Sequence, residues 1–167
     1  MSPTHPSGSV ERMAAAAERT VQTWDAAVTA ALGHRLAAHA AAGDVVCLWG
    51  GLGAGKTVLA KGFGAGLGIT ETITSPTFVL MAEYEGRLPM LHLDLYRLAD
   101  ATDAFDAGLL DDRRSSAVTL IEWPERLGVS MPADRLDVMI EGDGDDPRTI
   151  SVRATAPGLE RYLQALL

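Results

Sequence analysis

A short glycine-rich segment carries the most specific chemistry in this sequence. Residues 50–57 read Gly-Gly-Leu-Gly-Ala-Gly-Lys-Thr, which fits the pattern of a glycine, four residues, then glycine, lysine and threonine. Glycines let successive backbone N–H groups turn inward around an anion, and a following helix adds the positive end of its dipole. The segment therefore predicts a phosphate loop that binds a nucleotide through Gly50, Gly51, Leu52, Gly53, Ala54, Gly55, Lys56, Thr57 and Val58.

Two side chains of this loop have distinct predicted roles. Lys56 can reach the β- and γ-phosphates as a point charge, and the Thr57 hydroxyl is a suitable ligand for Mg²⁺. Lys56 is also one of only two lysines in the chain. We therefore take Lys56 as a candidate catalytic residue and Thr57 as a candidate metal ligand.

Two carboxylates at predicted strand ends could complete such a site. Asp94 follows Leu-His-Leu, and Glu122 follows Val-Thr-Leu-Ile. Open α/β sheets bind ligands at the carboxyl ends of their strands. One carboxylate could hold Mg²⁺, directly or through water, while the other polarises the attacking water. Both are candidate metal ligands, and Glu122 is also a candidate catalytic residue, although an acid after a strand is often only a turn residue or a helix cap.

Three further features lie near these carboxylates in the sequence. Residues 75–78, Ser-Pro-Thr-Phe, predict a switch-like loop in which Ser75 and Thr77 sense the γ-phosphate, or else a plain turn that enters a strand. His92 should share a strand face with Asp94, because side chains alternate, and a structural role is favoured for it. Trp123 could pack on the nucleotide, on a partner or in the core.

The elements that must position these residues follow from apolar patterning. Residues 45–49 are a short apolar run that predicts a strand buried on both faces, and a helix with an apolar stripe follows the loop. The glycines at 62, 64 and 66 indicate that this helix packs closely against the sheet. Asp25 is placed to cap an earlier helix that stops near Gly43.

The remaining elements complete a mixed sheet. They are a strand at 20–24, one hairpin at 78–84 and 90–94, helical turns at 102–113, a strand at 117–121, a second hairpin at 135–141 and 148–154, and a final amphipathic helix at 159–166. The predicted fold class is α/β, a P-loop NTPase-like mixed β-sheet with flanking helices in a single domain. We expect this domain to span 20–167, after a mobile tail at 1–19.

Composition limits the classes of function. The chain has 167 residues, 47% of them hydrophobic, a single cysteine and a net charge of −8. Such a charge opposes direct binding to nucleic acid, so any link to RNA should run through a partner. Acidic residues concentrate between 94 and 146, which indicates either a solvated rim or a face for a basic protein. The apolar runs are too short to span a membrane, so we expect a cytoplasmic protein.

The motifs together resemble the TsaE family, also called YjeE. They are the phosphate loop, the 75–78 segment, Tyr84, the His-Leu-Asp-Leu-Tyr-Arg-Leu run at 92–98 and the Glu-Trp-Pro-Glu run at 122–125, and the resemblance covers about residues 20–153. It implies a small mixed sheet and a bacterial Mg²⁺-dependent ATPase, weak without its partners. These partners would be TsaB and TsaD, with which it installs threonylcarbamoyl on adenosine next to the anticodon of tRNAs that read ANN codons. Contact with tRNA would be indirect, and neither DNA nor a membrane is implied.

The resemblance also implies roles for single residues and leaves one departure. It implies that Lys56 and Thr57 bind phosphate and Mg²⁺, that Asp94 is a metal ligand, that Glu122 supports hydrolysis and that Thr77 belongs to the switch-like loop. Members of the family usually have an acidic residue directly after the first loop glycine, where this chain has Gly51.

Two other classes of phosphate-loop protein fit the sequence less well. A small-molecule kinase usually adds an arginine-bearing lid, and Arg113 and Arg114 are the nearby candidates for one, within an acidic region. A GTPase would need an Asn-Lys-x-Asp stretch to recognise guanine, and the sequence has none. The kinase is therefore the alternative hypothesis.

Overall fold

The computed structural model describes residues 17–76, 80–99 and 112–167. Within these ranges the strands are β1 (Ala17–Thr23), β2 (Val45–Trp49), β3 (Met81–Tyr84), β4 (Met90–Asp94), β5 (Val118–Glu122), β6 (Leu136–Glu141) and β7 (Arg148–Ala154). The helices are α1 (Ala26–Ala37) and α2 (Lys56–Gly66), with 3₁₀ segments at Asp112–Ser116, Pro124–Ser130 and Leu159–Leu166.

The described strands form one mixed sheet in the order β1-β7-β6-β2-β5-β4-β3. Strands β4, β5, β2 and β6 run parallel, whereas β7, β1 and β3 are added antiparallel. The carboxyl ends of the parallel strands therefore meet at one edge of the sheet. Asp94 and Glu122 are register partners there, and Glu122 also pairs with Leu48 of β2, just before the glycine-rich loop. The α/β class and the mixed sheet are as predicted.

The first helix begins at its predicted cap. Asp25 has an extended backbone, and its Oδ1 accepts a hydrogen bond from the N–H of Val28 at 2.8 Å, which satisfies one of the free donors of the first turn. The helix ends at Ala37 rather than near Gly43. The Gly43 N–H donates to the carbonyl of Ala117 at 2.8 Å, so this residue is tied to the start of β5 instead of ending the helix.

The glycines of α2 pack mainly against α1, not against the sheet as predicted. A Cβ on Gly62 would lie 1.9 Å from the carbonyl oxygen of Ala30, and one on Gly66 would lie 2.6 Å from that of His34. Gly33 makes the reciprocal approach from α1, where a Cβ would lie 2.2 Å from the carbonyl oxygen of Leu59. The two helix backbones thus touch at positions where any side chain would separate them.

The sheet has apolar clusters on both faces. The larger cluster lies between the sheet and the helices and includes Leu36, Phe63 and Leu120. The other includes Cys47 and Leu93. Cys47 fills the core as predicted, and its burial raises the pKa of the thiol to about 12. Among the described residues, no helix is both long enough and apolar enough to cross a membrane.

Several predicted boundaries differ from the structure. β1 starts at Ala17 and pairs with β7, so three residues of the predicted tail are strand, and 1–16 lie outside the described residues. The strand expected from 78 begins at Met81, with 77–79 outside the description. Of the expected helical turns at 102–113, residues 102–111 lie outside the described residues, and a 3₁₀ segment occupies Asp112–Ser116. The final helix is a 3₁₀ segment, Leu159–Leu166.

Candidate functional site

The glycine-rich loop connects β2 directly to α2. Gly50, Gly53 and Gly55 have φ angles of 151°, 77° and 110°, in the region that residues with a Cβ rarely adopt. A Cβ on Gly50 would also lie 2.7 Å from the carbonyl oxygen of Ile140. Glycine is therefore required at these positions, and Gly55 is the residue that precedes α2. This is the strand, loop and helix arrangement in which backbone amides and a helix N-terminus can cradle an anion.

Lys56 is folded back across the loop. Its side chain is buried, and Nζ donates to the carbonyl oxygens of Gly51, at 2.9 Å, and of Gly50. Nζ also lies 3.8 Å from the centroid of the Trp123 ring, a cation–π contact. Burial lowers the pKa of the Lys56 ammonium, while nearby carboxylates, Glu122 foremost, raise it.

Glu122 joins the loop to the middle of the sheet. It is 3% exposed, and its Oε1 accepts from the Thr57 hydroxyl at 3.0 Å and contacts Nε2 of His92 at 2.9 Å. His92 is fully buried, and its Nδ1 has no partner among the described residues. An ionised Glu122 therefore favours the tautomer with hydrogen on Nε2. The structure gives His92, predicted as structural, a direct contact with a candidate catalytic residue.

Asp94 lies beside Glu122 at the same edge of the sheet, at the end of β4. It is 5% exposed, its Oδ2 accepts from the Ser75 hydroxyl, and its Oδ1 accepts from the Tyr96 N–H at 3.0 Å. Ser75 therefore reaches the site from the loop predicted as switch-like. Thr77, the second predicted residue of that loop, lies outside the described residues.

These side chains line one cavity of about 420 Å³. Its lining includes the loop from Leu52 to Val58 together with Ser75, Asp94, Tyr96, Arg97, Glu122 and Trp123. One hydroxyl, from Thr57, and the carboxylates of Asp94 and Glu122 offer hard oxygen donors on one side of it. Mg²⁺ in nucleotide sites is typically held by one or two protein oxygens plus phosphates, so this donor set fits Mg²⁺. Among the described residues, no cluster of three or more His, Cys, Asp or Glu side chains forms an all-protein metal cage.

A second cavity, of about 310 Å³, lies on the other side of the loop. Gly53, Ala54, Gly55 and Val58 line both cavities. The rest of the second lining comes from the β1–α1 junction, including Trp24, and from the turn before β7, including Asp145, Asp146 and Arg148. The first cavity thus contains Asp94 and Glu122, and the second has the exposed Trp24 ring and the carboxylates of Asp25, Asp145 and Asp146 at its wall.

Sequence reasoning missed some residues that line these two cavities. Trp24 and Arg148 were not singled out, although a tryptophan just before a helix cap and a lone arginine after an acid-rich turn are visible signals. Trp123, left open between three roles, is half-buried and packs on Lys56 and on the ring of Tyr96, 4.9 Å away between centroids. Arg113, a candidate for a kinase lid, pairs with Glu83 at 3.6 Å and lines neither of these two cavities.

Comparison with known proteins agrees with the motifs. Residues 23–150 match the TsaE family, described as threonylcarbamoyl adenosine biosynthesis protein TsaE. The chain is 41% identical over 139 residues to the tRNA threonylcarbamoyladenosine biosynthesis protein TsaE of Bacillus subtilis, which covers 83% of this chain and 87% of that protein. It is 46% identical over 110 residues to the protein of the same name from Treponema pallidum, covering 66% and 82%.

A solved structure shares the fold. The crystal structure of Bacillus subtilis YdiB superposes with a TM-score of 0.76 at 34% sequence identity, covering 91% of this chain and 95% of that one. The similarity in fold therefore extends over most of both chains.

Proposed function

This chain belongs to the TsaE family of threonylcarbamoyl adenosine biosynthesis proteins, and from that membership we propose that it is an ATP-binding and ATP-hydrolysing subunit of this biosynthesis. Its product would be threonylcarbamoylated adenosine next to the anticodon of tRNAs that read ANN codons. One observation carries the proposal: Lys56, Thr57 and Glu122 converge on a glycine-rich loop at the carboxyl ends of the parallel strands.

The two cavities divide the nucleotide between them in this proposal. The triphosphate would lie in the 420 Å³ cavity, where loop amides, the dipole of α2 and the Lys56 ammonium all attract anions. The nucleoside would lie in the 310 Å³ cavity, where Trp24, 67% exposed, offers an apolar face to a base. Because the loop lines both cavities, one ligand can span them.

The candidate metal ligands are Thr57, Asp94 and Glu122. When bound, Mg²⁺ would neutralise charge on the β- and γ-phosphates. The chain's own residues then orient the reaction: Lys56 holds phosphate oxygens, and the Glu122 carboxylate, fixed by Thr57 and His92, accepts a hydrogen bond from the attacking water. Ser75, bonded to Asp94, would connect the phosphate site to the switch-like loop, in which Thr77 is the second hydroxyl.

We propose TsaB and TsaD as the partners on which this ATPase acts, in the cytoplasm where tRNA is modified. The net charge of −8 supports contact with tRNA through these partners rather than directly. Nucleotide binding would set the conformation of the 75–78 loop for the partner complex, and hydrolysis would reset it.

The nucleotide site is tested by two variants with a matched control. Lys56→Ala is expected to abolish MgATP binding in calorimetry, because the buried cation facing the phosphates is lost. Glu122→Ala is expected to bind ATP within a few-fold of wild type but to release phosphate at least about 100-fold more slowly. Lys61→Ala, the other lysine, is exposed on the same helix and should change neither quantity. Normal turnover in the Glu122 variant would remove this residue from the mechanism.

The partner assignment has its own test. The protein is mixed with purified TsaB and TsaD and an activated threonylcarbamoyl donor, with and without MgATP, and association and threonylcarbamoylation of an ANN-decoding tRNA are measured. We expect nucleotide-dependent association, and modification only when all three proteins are present. Failure of both would count against the assignment, and ATP-dependent phosphorylation of a small metabolite instead would favour the kinase alternative.

A further inference from the structure

Arg148 ties two separate loops together through their backbone carbonyls. On the phosphate loop, its Nε donates to the oxygen of Ala54 at 2.8 Å and its Nη2 to that of Gly53 at 3.3 Å. On the turn between β6 and β7, residues 142–147, its guanidinium donates to the oxygens of Gly144, at 3.0 Å, of Asp143, at 3.3 Å, and of Asp146. Five carbonyls from two segments that lie about 90 residues apart in sequence thus share one side chain.

Holding a carbonyl also fixes the direction of an amide. In a planar trans peptide the C=O and the N–H of the same unit point in opposite directions. The carbonyl of Gly53 shares its peptide with the N–H of Ala54, and the carbonyl of Ala54 shares its peptide with the N–H of Gly55. Arg148 therefore fixes two consecutive peptide units at the centre of the loop with their N–H groups pointing away from the guanidinium.

Lys56 makes the corresponding contacts at the beginning of the loop. Its ammonium binds the carbonyls of Gly50 and Gly51, so two cations together hold four loop carbonyls. Glycine-rich backbone has more conformational freedom than other backbone, and a loop that must order on binding loses affinity. Cations on the carbonyl side reduce this cost before any ligand arrives.

We propose that Arg148 is a positioning residue that preorganises the phosphate loop for triphosphate and fixes the 142–147 turn as a wall of the adjoining cavity. The inference rests on the proposed nucleotide binding. Of the two cavities beside the loop, Arg148 lines the one of 310 Å³, and it acts on phosphates through the backbone of the loop. Its effect belongs to binding, because Thr57 and Glu122, which serve the chemistry, have no contact with it among those described.

Arginine is required for this role because of its shape. The planar guanidinium has five N–H donors in a rigid fork, whereas a lysine ammonium has three donors on a flexible stem. The turn that receives the fork is itself constrained: Gly142 and Gly144 have φ angles of 121° and 53°, and a Cβ on Gly142 would lie 2.8 Å from the carbonyl oxygen of Pro147. A lysine at 148 could donate hydrogen bonds to the carbonyls of the phosphate loop or of the 142–147 turn, but not to those of both.

The test uses Arg148→Met and Arg148→Lys in the full chain, with Arg153→Met as the matched control on the same strand. Arg153 bonds to Asp137, which also keeps Arg135 as a partner. Calorimetry measures binding of MgATP and of inorganic triphosphate, which has no base, and amide hydrogen exchange is followed at 50–57 and 142–147 without nucleotide.

For Arg148→Met we expect affinity to fall at least about tenfold for both ligands, KM to rise by a similar factor with kcat within threefold, and exchange to accelerate in both segments. Arg148→Lys should lose affinity nearly as much, and Arg153→Met should match wild type.

Unchanged exchange in both segments of either Arg148 variant overturns the proposal, as does unchanged triphosphate affinity. If wild type binds no ATP, the proposed function fails, and the exchange measurement still decides whether Arg148 holds the loop. If Arg148→Met does not fold, Arg148→Lys supplies the same comparison.

Discussion

Glu122 is the residue at which the loop, the sheet and the proposed chemistry meet. Its buried carboxylate accepts a hydrogen bond from the Thr57 hydroxyl of the loop and contacts the His92 imidazole of the neighbouring strand. A buried carboxylate with too few donors is costly, and its orientation is set by the donors that it has. His92 therefore acts on the reaction through Glu122, as a positioning residue.

Replacing His92 with leucine removes a donor while filling most of the space. We expect nucleotide affinity to remain within a few-fold of wild type and turnover to fall roughly tenfold, because Glu122 loses one of the two side chains that orient it. His92→Gln keeps an N–H donor at the end of a side chain and should recover part of the rate. Phosphate release at saturating MgATP, with calorimetry for affinity, measures both effects. Equal rates for the leucine and glutamine variants would show that the hydrogen bond has no part in turnover.

At the scale of secondary-structure elements, the contact between α1 and α2 determines the position of the phosphate loop. The phosphate loop ends at the first residue of α2, and α2 is held by backbone-to-backbone contact with α1 at glycine positions. In an exposed helix, glycine to alanine is stabilising by about 1 kcal/mol. Here the added Cβ has no space, so packing and propensity act in opposite directions.

Gly62→Ala distinguishes these two effects. A Cβ 1.9 Å from the carbonyl oxygen of Ala30 forces the helices apart, and we expect a net loss of about 1–3 kcal/mol in the free energy of unfolding. Lys61→Ala, one residue earlier and exposed, should stay within about 0.5 kcal/mol of wild type. Urea denaturation followed by circular dichroism measures both. A Gly62→Ala protein more stable than wild type would mean that propensity dominates and that the helices do not touch there.

Elements were predictable from sequence where local patterns alone define them. Strands β2, β4 and β7 were predicted at their observed bounds because each is a short run flanked by turn residues. The end of α1 was not, because the alanine-rich stretch to residue 42 favours helix locally while Gly43 is bound to β5. The motif predicted Lys56 and Thr57, and the strand ends predicted Asp94 and Glu122, but the Thr57–Glu122 bond depends on strand register. The Arg148 contacts likewise span 94 residues, and no local pattern encodes them.

At the scale of the whole molecule, the C-terminal segment, Leu159–Leu166, belongs to the core although it lies outside the residues that match the family. The match ends at residue 150, within β7, yet Leu159–Leu166 packs back on β7, α1 and β1. Arg35 donates to the carbonyl of Ala165 at 3.0 Å, and Arg161 donates to that of His39 at 2.7 Å. These bonds connect the C-terminal segment to α1, which packs against α2, and to the residues directly after α1.

Asp44 is the anchor of this segment, just before β2. Its Oδ2 accepts from the Ala41 N–H at 2.8 Å, from the Tyr162 hydroxyl at 2.6 Å and from Arg161. Burial, with the Asp44 carboxylate, raises the pKa of the Tyr162 phenol well above its ordinary value, so this phenol stays a neutral donor. Tyr162 is fully buried, and its ring contributes to the main apolar cluster.

Two substitutions separate the hydrogen bond from the packing. Tyr162→Phe keeps the ring and removes one donor to Asp44, so we expect a loss of about 1–2 kcal/mol in the free energy of unfolding. Tyr162→Ala also leaves a cavity and should cost about 3–5 kcal/mol. MgATP affinity of the folded Phe variant should remain within twofold of wild type, because Tyr162 lines neither cavity beside the loop. If the Ala variant unfolds at the same urea concentration as wild type, the segment is not part of the cooperative core, and the stability of α1 must come from the sheet and α2 alone.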